Sequence, residues 1–413
     1  MKLFKEKKGC CGCTACKNAC PKNAIAMVPD EEGFLYPKVD EDLCIQCHIC
    51  EKVCPLQNPL IPEKGFSQRI FAAKHKDVNV VMSSSSGGVF TAISDYILSE
   101  GGVVYGAAFD PNFRVCHQRA ETPEDRDRFK GSKYVQSDLG DTFLKIQRDL
   151  QNGKKVLFSG TPCQNAGLLS FLKQKKVNRD GLCCCDFVCH GTPSPLIWRE
   201  YIDFLETQFQ DKLVGFSFRD KSSGWKMTKI KATFESSSEE YNCNKYYSFL
   251  NIYSTLFAVR PVCFCCNFAN YDRVTDITIA DFWNIQNSHP ELDDDKGTST
   301  VFLNTPKGDK VFLGIKNELI YLESTPKDCW QQHLEYPCVE PKGRAKFWDE
   351  YRSKGSAYVI QKYGRGTFSS RMKKRVTPIL RKLGLYMLAG KIYAFLFARR
   401  PNAGKAESWN EKH

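Results

Sequence analysis

Apolar and polar positions along this chain follow two periods that take turns. Short β-rich runs, IFAAKH (70–75), GVVYGAAFD (102–110), KKVLFSG (154–160) and GLCCCDFVCHG (181–191), alternate with stretches of helical spacing, VFTAISDYILSEG (89–101), DTFLKIQRDLQNG (141–153) and SPLIWREYIDFLETQF (194–209). In the last of these, Leu196, Ile197, Tyr201, Phe204 and Leu205 recur on one helical face. The rhythm predicts an α/β region from residue 69 to 210. Beyond Asp211 the pattern changes to LVGFSFRD and MTKIKATF, then a strand and helix in TSTVFLNTPKGDKVFLGIKN, which predicts a smaller α+β lobe over 211–345. The first 58 residues have neither rhythm, and LQNPLIPEKGFSQ (56–68) reads as a linker behind them. The expected architecture is therefore multi-domain, α+β and α/β, with a small N-terminal unit over 1–58 and a tail over 346–413.

Charge alters this picture only at the tail. The excess of 59 basic over 47 acidic residues gives +12, but residues 1–60 hold eight of each sign, while Arg371 to His413 carries eleven Lys and Arg against two Glu. A charge gathered in one tail lacks the distributed basic face of a nucleic-acid binder, so no nucleic-acid partner is expected. Within that tail, Thr377 to Arg400 sets apolar and aromatic residues between basic clusters. This predicts a helix that lies on a membrane interface or docks on the protein, with peripheral membrane contact through 371–413. The start, MKLFKEKKGCCGC, has no apolar run behind its basic residues. A cytoplasmic location is expected, at the inner membrane face if the tail binds lipid.

Twenty-one cysteines in such a chain point to metal or redox chemistry rather than disulfides. Cys10, Cys13, Cys16 and Cys20, followed by Pro21, spell C-x2-C-x2-C-x3-C-P, and Cys44, Cys47, Cys50 and Cys54, followed by Pro55, spell it again. This is the pattern of two-cluster ferredoxins, in which the fourth cysteine of each motif serves the other cluster. One 4Fe-4S cluster is then expected on Cys10, Cys13, Cys16 and Cys54 and the second on Cys44, Cys47, Cys50 and Cys20, with Cys11 left over. Zinc sites more often pair two C-x2-C units or include histidine. Four further thiols, Cys163 and Cys189 in strand-to-helix loops and Cys263 and Cys266 in a C-x2-C pair, are candidates for a third cluster, because loops at the ends of adjacent strands converge. Cys183, Cys184 and Cys185 read as buried strand residues.

Clusters move electrons singly, so the rest of the chain is expected to hold a cofactor or partner that exchanges them. Ser83 to Thr91, a Ser/Gly loop opening a helix, is a candidate phosphate cradle. The runs SSSSGGVFTAIS, GSKYVQSD, VLFSGTPCQNAGLLSFL, CDFVCHGTPSP, FSFRDKSSGW, CFCCNFANYDRVTDITIADFW and DKGTSTVFLNTPKG resemble the family of coenzyme F-420 (deazaflavin) hydrogenase/dehydrogenase beta subunits over about residues 1 to 340. The resemblance implies a flavin-bearing α/β domain, with FAD near Ser86, Gly87, Gly88, Thr91, Lys133, Gly160 and Thr161. It implies an oxidoreductase that trades hydride with a soluble carrier and single electrons with a redox partner protein. Lys133 and His190 are the candidate catalytic residues, and Asp276 and Asp281 candidates for orienting a site group. The tail lies outside the resemblance, and no nickel-ligand motif is present. A flavin-free electron-transfer subunit of a larger redox complex and a membrane-surface reductase of surface-polysaccharide metabolism are the alternative readings.

Overall fold

A computed structural model describes residues 3–63, 65–227, 229–236 and 248–365; the predicted tail helix lies outside them. The two cysteine motifs fold alike. Each winds into one short helical turn, α1 (Ala15–Ala19) and α2 (Ile49–Lys52), entered through a left-handed residue at the same place in the motif, Thr14 (φ 62°) and His48 (φ 57°). Between them an antiparallel hairpin, β1 (Ile25–Pro29) and β2 (Leu35–Val39), joins the two loops.

The chain then alternates through β3 (Arg69–His75), α3 (Val78–Ser83), α4 (Val89–Ser99), β4 (Val103–Phe109), β5 (Val115–Ala120), α5 (Pro123–Asp127), α6 (Thr142–Gln151), β6 (Val156–Ser159), α7 (Pro162–Gln174), β7 (Leu182–Phe187) and α8 (Pro195–Phe209). A hairpin, β8 (Leu213–Asp220) and β9 (Lys229–Phe234), and α9 (Phe249–Ser254) follow. The chain continues through β10 (Ile277–Asp281), β11 (Ser299–Leu303), α10 (Pro306–Ile315), β12 (Leu319–Glu323) and α11 (Arg344–Gly364).

The expected boundary at residue 210 does not divide the molecule. Eight strands from both sides of it share one sheet in the order β12-β3-β11-β10-β7-β6-β4-β5. Strand β10 pairs parallel with β7, and β11 and β12 flank β3. The strand-like patterns after residue 275 were legible, but periodicity does not say which sheet a strand joins. The β8–β9 hairpin forms a sheet of its own, packed around the buried Trp198, whose indole N–H donates to the Phe113 carbonyl (2.7 Å). The boundary at 346 also shifts. Helix α11 buries Phe347, Trp348, Val359 and Ile360 in that same core, so the compact unit ends at Gly364.

Alternation along the strands builds two cores. Cys183 and Cys185 face α4 and α10, while Leu182 and Cys184 face α6 and α7. The three adjacent cysteines are packing residues, as their mid-strand position implied. Strands β3, β4, β6, β7 and β10 all point one way. Their carboxyl ends therefore form one edge, where loops in such sheets build sites.

The N-terminal unit is seated on this body. Its helix α1 packs on α7, Asn18 Nδ2 donates to the Gly140 carbonyl (3.1 Å), and Glu32 is clamped by the Arg344 guanidinium (2.8 Å from Nη1). Two glycines allow the close approach. At Gly167, inside α7, an added Cβ would stand 2.7 Å from the Cys13 Cβ and 2.8 Å from its Sγ. At Gly33 (φ 81°) one would stand 2.3 Å from the Leu196 Cβ.

Candidate functional site

In the N-terminal unit one cysteine of the first motif joins three of the second. Cys20 lines a cavity with Cys44, Cys47 and Cys50 that holds about 360 Å³ of empty space, part of it open to solvent. Ala24 N–H points at the Cys20 sulfur (3.3 Å). The other set is deeper. Burial, then the neighbouring Cys10 and Cys54 thiols and more weakly Cys50, push Cys16 up to about 12. Backbone N–H groups of Gly12, Ala15 and Lys17 are directed at Cys10, Cys13 and Cys16. Amides aimed at sulfur favour thiolates, the form that binds iron.

At the carboxyl edge of the sheet, Cys163 begins α7 after β6, Cys189 follows β7, and Cys263 and Cys266 lie in and just after a 3-10 turn (Pro261–Cys265). All four line one cavity of about 580 Å³, partly solvent-filled. Cys11 and Cys338 line it too, and the Cys11 thiol neighbours both Cys163 and Cys13. The leftover cysteine of the first motif thus stands between the N-terminal thiols and the cavity. Among the described residues no three His, Cys, Asp or Glu side chains close in tightly enough for a single metal ion. Four thiols spread around a cavity suit the broader core of a cubane better than one zinc with bonds of ~2.3 Å.

Around the same edge lie the residues expected near a flavin. Gly87 is pressed against β3 and β11: its N–H donates to Ser299 Oγ (3.0 Å), and an added Cβ would stand 2.5 Å from the Ala73 carbonyl oxygen. Ser86 Oγ donates to the Thr298 carbonyl (2.8 Å), Gly88 (φ 84°) caps α4, and Thr91 is buried in that helix. The Ser132 amide donates to Ser85 Oγ (2.7 Å), which joins the GSKY segment to the Ser/Gly loop. Gly160 and Thr161 sit elsewhere on the edge, at the N-terminus of α7. There Thr161 makes a capping box with Gln164, and its hydroxyl lies 3.2 Å from Cys163 Sγ. Asp276 holds β7 to α10, accepting from the Cys184 amide and the Thr305 hydroxyl, both at 2.8 Å. His190 packs on His333 (4.4 Å between rings), and burial followed by that neighbour pulls it down to about 4.

Two lysines here have carbonyl partners where a carboxylate would be usual. Lys133 Nζ donates to the carbonyls of Arg128 and Lys130, both at 2.8 Å. Lys221 Nζ donates to those of Val81 (2.7 Å), Ser86 (2.6 Å) and Lys296 (2.8 Å). Burial lowers each to about 7. Beside them the buried Arg219 pairs with Asp281 (2.5 Å) and lies over Trp283, with Arg219 Nη2 and Asp281 Oδ1 left without partners. Cations short of anions, beside an aromatic face and orphaned polar atoms, fit a nucleotide cofactor bearing phosphates.

The lysines also make a pH signature. A lysine near 7 in the folded chain binds fewer protons than in the unfolded chain, where it titrates at 10.5. Stability therefore rises as pH climbs from about 7 to 10.5, and below 7 the cost of the buried charge is felt in full. Lys133→Met is expected to raise the melting temperature most below pH 7, with the gap to the parent closing as pH approaches 10.5. Melts of both proteins across that range check this, and a pH-independent gap refutes it.

Lys221, Arg219, Arg260 and Cys338 escaped the sequence reading. Gly167 left one signal, a glycine inside a helical pattern, which marks close packing.

Two parts of the chain match known families. Residues 9–58 match the 4Fe-4S dicluster domain, and residues 153–328 match the carboxy-terminal part of the coenzyme F420 hydrogenase/dehydrogenase beta subunit. The F subunit of the F(420)H(2) dehydrogenase of Methanosarcina mazei is 24% identical over 354 residues, covering 83% of this chain and 92% of the relative. An uncharacterized ferredoxin of Methanocaldococcus jannaschii is 29% identical over 79 residues, 19% of this chain and 92% of that one. A chain of the F420-reducing NiFe hydrogenase complex from Methanosarcina barkeri aligns with a TM-score of 0.43 at 15% identity, covering 78% of this chain and 96% of its own. No helix among the described residues is long and apolar enough to cross a membrane. With a dicluster match at residues 9–58 and the beta-subunit match at 153–328, the chain is an iron–sulfur oxidoreductase related to the coenzyme F420 hydrogenase/dehydrogenase beta subunits.

Proposed function

We propose that this chain is a three-cluster iron–sulfur flavoprotein that passes electrons between its ferredoxin-type clusters and FAD, and on to a deazaflavin-type carrier or a small organic substrate. The clusters are held by Cys10, Cys13, Cys16 and Cys54, by Cys20, Cys44, Cys47 and Cys50, and by Cys163, Cys189, Cys263 and Cys266. The observation that carries this reading is the single cavity at the carboxyl edge of the sheet, where thiols from three separate loops meet and Cys11 reaches back toward Cys13.

FAD, when bound, supplies the conversion between a hydride and single electrons that clusters alone cannot perform. The chain's own part is to hold and orient it. The Ser86–Gly87–Gly88 loop would bring backbone close to a diphosphate, Lys221 reaches the Ser86 carbonyl there, Lys133 follows the Ser132 that is tied to Ser85, and Trp283 carries Arg219 over its ring. Tyr253 fixes the loop between this region and the cysteine cavity, its hydroxyl donating to the carbonyls of His190 (3.1 Å) and Gly191 (3.2 Å). The Methanosarcina mazei relative is named for a reduced deazaflavin, which supports that class of carrier, and its name as one subunit among others supports a protein partner.

Anaerobic purification with iron, sulfide, zinc and flavin counted per chain tests the proposal. About twelve irons and one FAD are expected. About eight irons without flavin would instead identify an electron-transfer subunit that serves a partner enzyme.

A further inference from the structure

We infer that Arg260 is a shared positioning cation between the cluster on Cys10, Cys13, Cys16 and Cys54 and the third cluster, raising the reduction potentials of both and tying them together. This rests on the three-cluster reading above. Arg260 is fully buried, at the seam between the N-terminal unit and the body. Its Nε donates to the Cys10 carbonyl (2.9 Å), Nη1 to Gln136 Oε1 (2.8 Å) and Nη2 to the Leu35 carbonyl (3.0 Å), with Cys10 Sγ 3.7 Å from Nη2. The guanidinium lies 4.2 Å from the Tyr36 ring and 5.4 Å from the Phe34 ring.

From the other side the same residue lines the cysteine cavity. Its amide is held by the Thr192 carbonyl and its own carbonyl by the Cys263 amide, both at 3.0 Å, so the backbone between two loops of the third set runs through it. Its positive field reaches the sulfurs of Cys10, Cys163 and Cys263.

Among the described residues no carboxylate pairs with this guanidinium. A buried charge without a counter-ion is costly, and removing its hydrogen-bond acceptors from water adds to the cost. Thiolate-ligated clusters on both sides supply the missing negative charge. Each electron taken up makes a cluster more negative by one unit, so a fixed cation beside it favours the reduced state, and net charge and hydrogen bonds to sulfur are established levers on cluster potential. One cation shared by two clusters acts on both at once. The cluster on Cys20, Cys44, Cys47 and Cys50 lies in the outer cavity, which Arg260 does not line.

Two variants separate charge from packing. Arg260→Gln removes the cation, while Gln136→Glu keeps it and sets a carboxylate against Nη1. In redox titrations of the full anaerobic protein followed by electron paramagnetic resonance, each variant is expected to lower the one-electron reduction constant of the two flanking clusters about tenfold, about 59 mV per cluster. The outer cluster should not move, and Arg260→Lys should restore much of the shift. Unmoved midpoints in both variants at an intact iron count overturn the role of Arg260, as does a shift confined to one flanking cluster. About eight irons in the parent protein would instead overturn the three-cluster reading, before any variant is made.

Discussion

Cys20→Ala is expected to strip the iron held by Cys44, Cys47 and Cys50 and to spare the cluster on Cys10, Cys13 and Cys16, although Cys20 belongs to the first motif. The reason is geometric. The helical turn α1 carries Cys20 away from its sequence neighbours and onto the wall of the cavity lined by the second motif. Cys54 follows α2, and its thiol acts electrostatically on Cys16 and Cys10 of the first motif. A cubane with three protein thiolates is labile, so the loss should reach about four irons per chain. Cys54→Ala should strip the other cluster. Iron counts alone cannot tell the two variants apart; their paramagnetic spectra, which should be complementary, can. Identical residual spectra would sink the crossed assignment.

Gly167→Ala is expected to destabilise the protein by about 1–3 kcal/mol through overpacking and to cost it the cluster that uses Cys13. On an exposed helix the same change would stabilise by roughly 1 kcal/mol, because alanine is the better helix former. Here the added methyl group would stand 2.7 Å from one atom of Cys13 and 2.8 Å from its sulfur. Cys13 is buried and braced by Cys11, so it has little room to yield. Either α1 lifts from α7 or the thiol turns from its iron. A melting temperature that falls together with about four irons checks this; a rise would show that the seam is slack.

How much of this was legible beforehand depended on how local each feature is. Eight of the nine cysteines of the N-terminal unit were readable because their spacing alone dictates a loop, one helical turn and a proline. Convergence of Cys163, Cys189, Cys263 and Cys266 was open to guess, since three of those residues follow strand-like runs or a prolyl turn. The sharing of one sheet across residue 210 was not legible, because β11 reads as the same short buried run whether it pairs with β3 or with a neighbour in a separate lobe. Arg260 was invisible for a related reason. A single arginine before a proline carries no signature, and its meaning comes from Cys10, Leu35 and Gln136, which reach it from over a hundred residues away.

The pairing of β3 with β11 and β12 has a consequence for how the chain is made. Ala73 stands opposite Ser299 and His75 opposite Leu319, so this strand leaves the ribosome long before either of its neighbours exists. The N-terminal hairpin and its two loops, by contrast, need only the first 58 residues and are available for iron delivery while synthesis continues. Cys163 and Cys189 must wait for Cys263 and Cys266. On the three-cluster reading, cofactor loading would be ordered in time, the two ferredoxin-type clusters first and the third last, and an arrest of translation before residue 263 would leave a chain with two clusters and an open sheet edge exposed to aggregation.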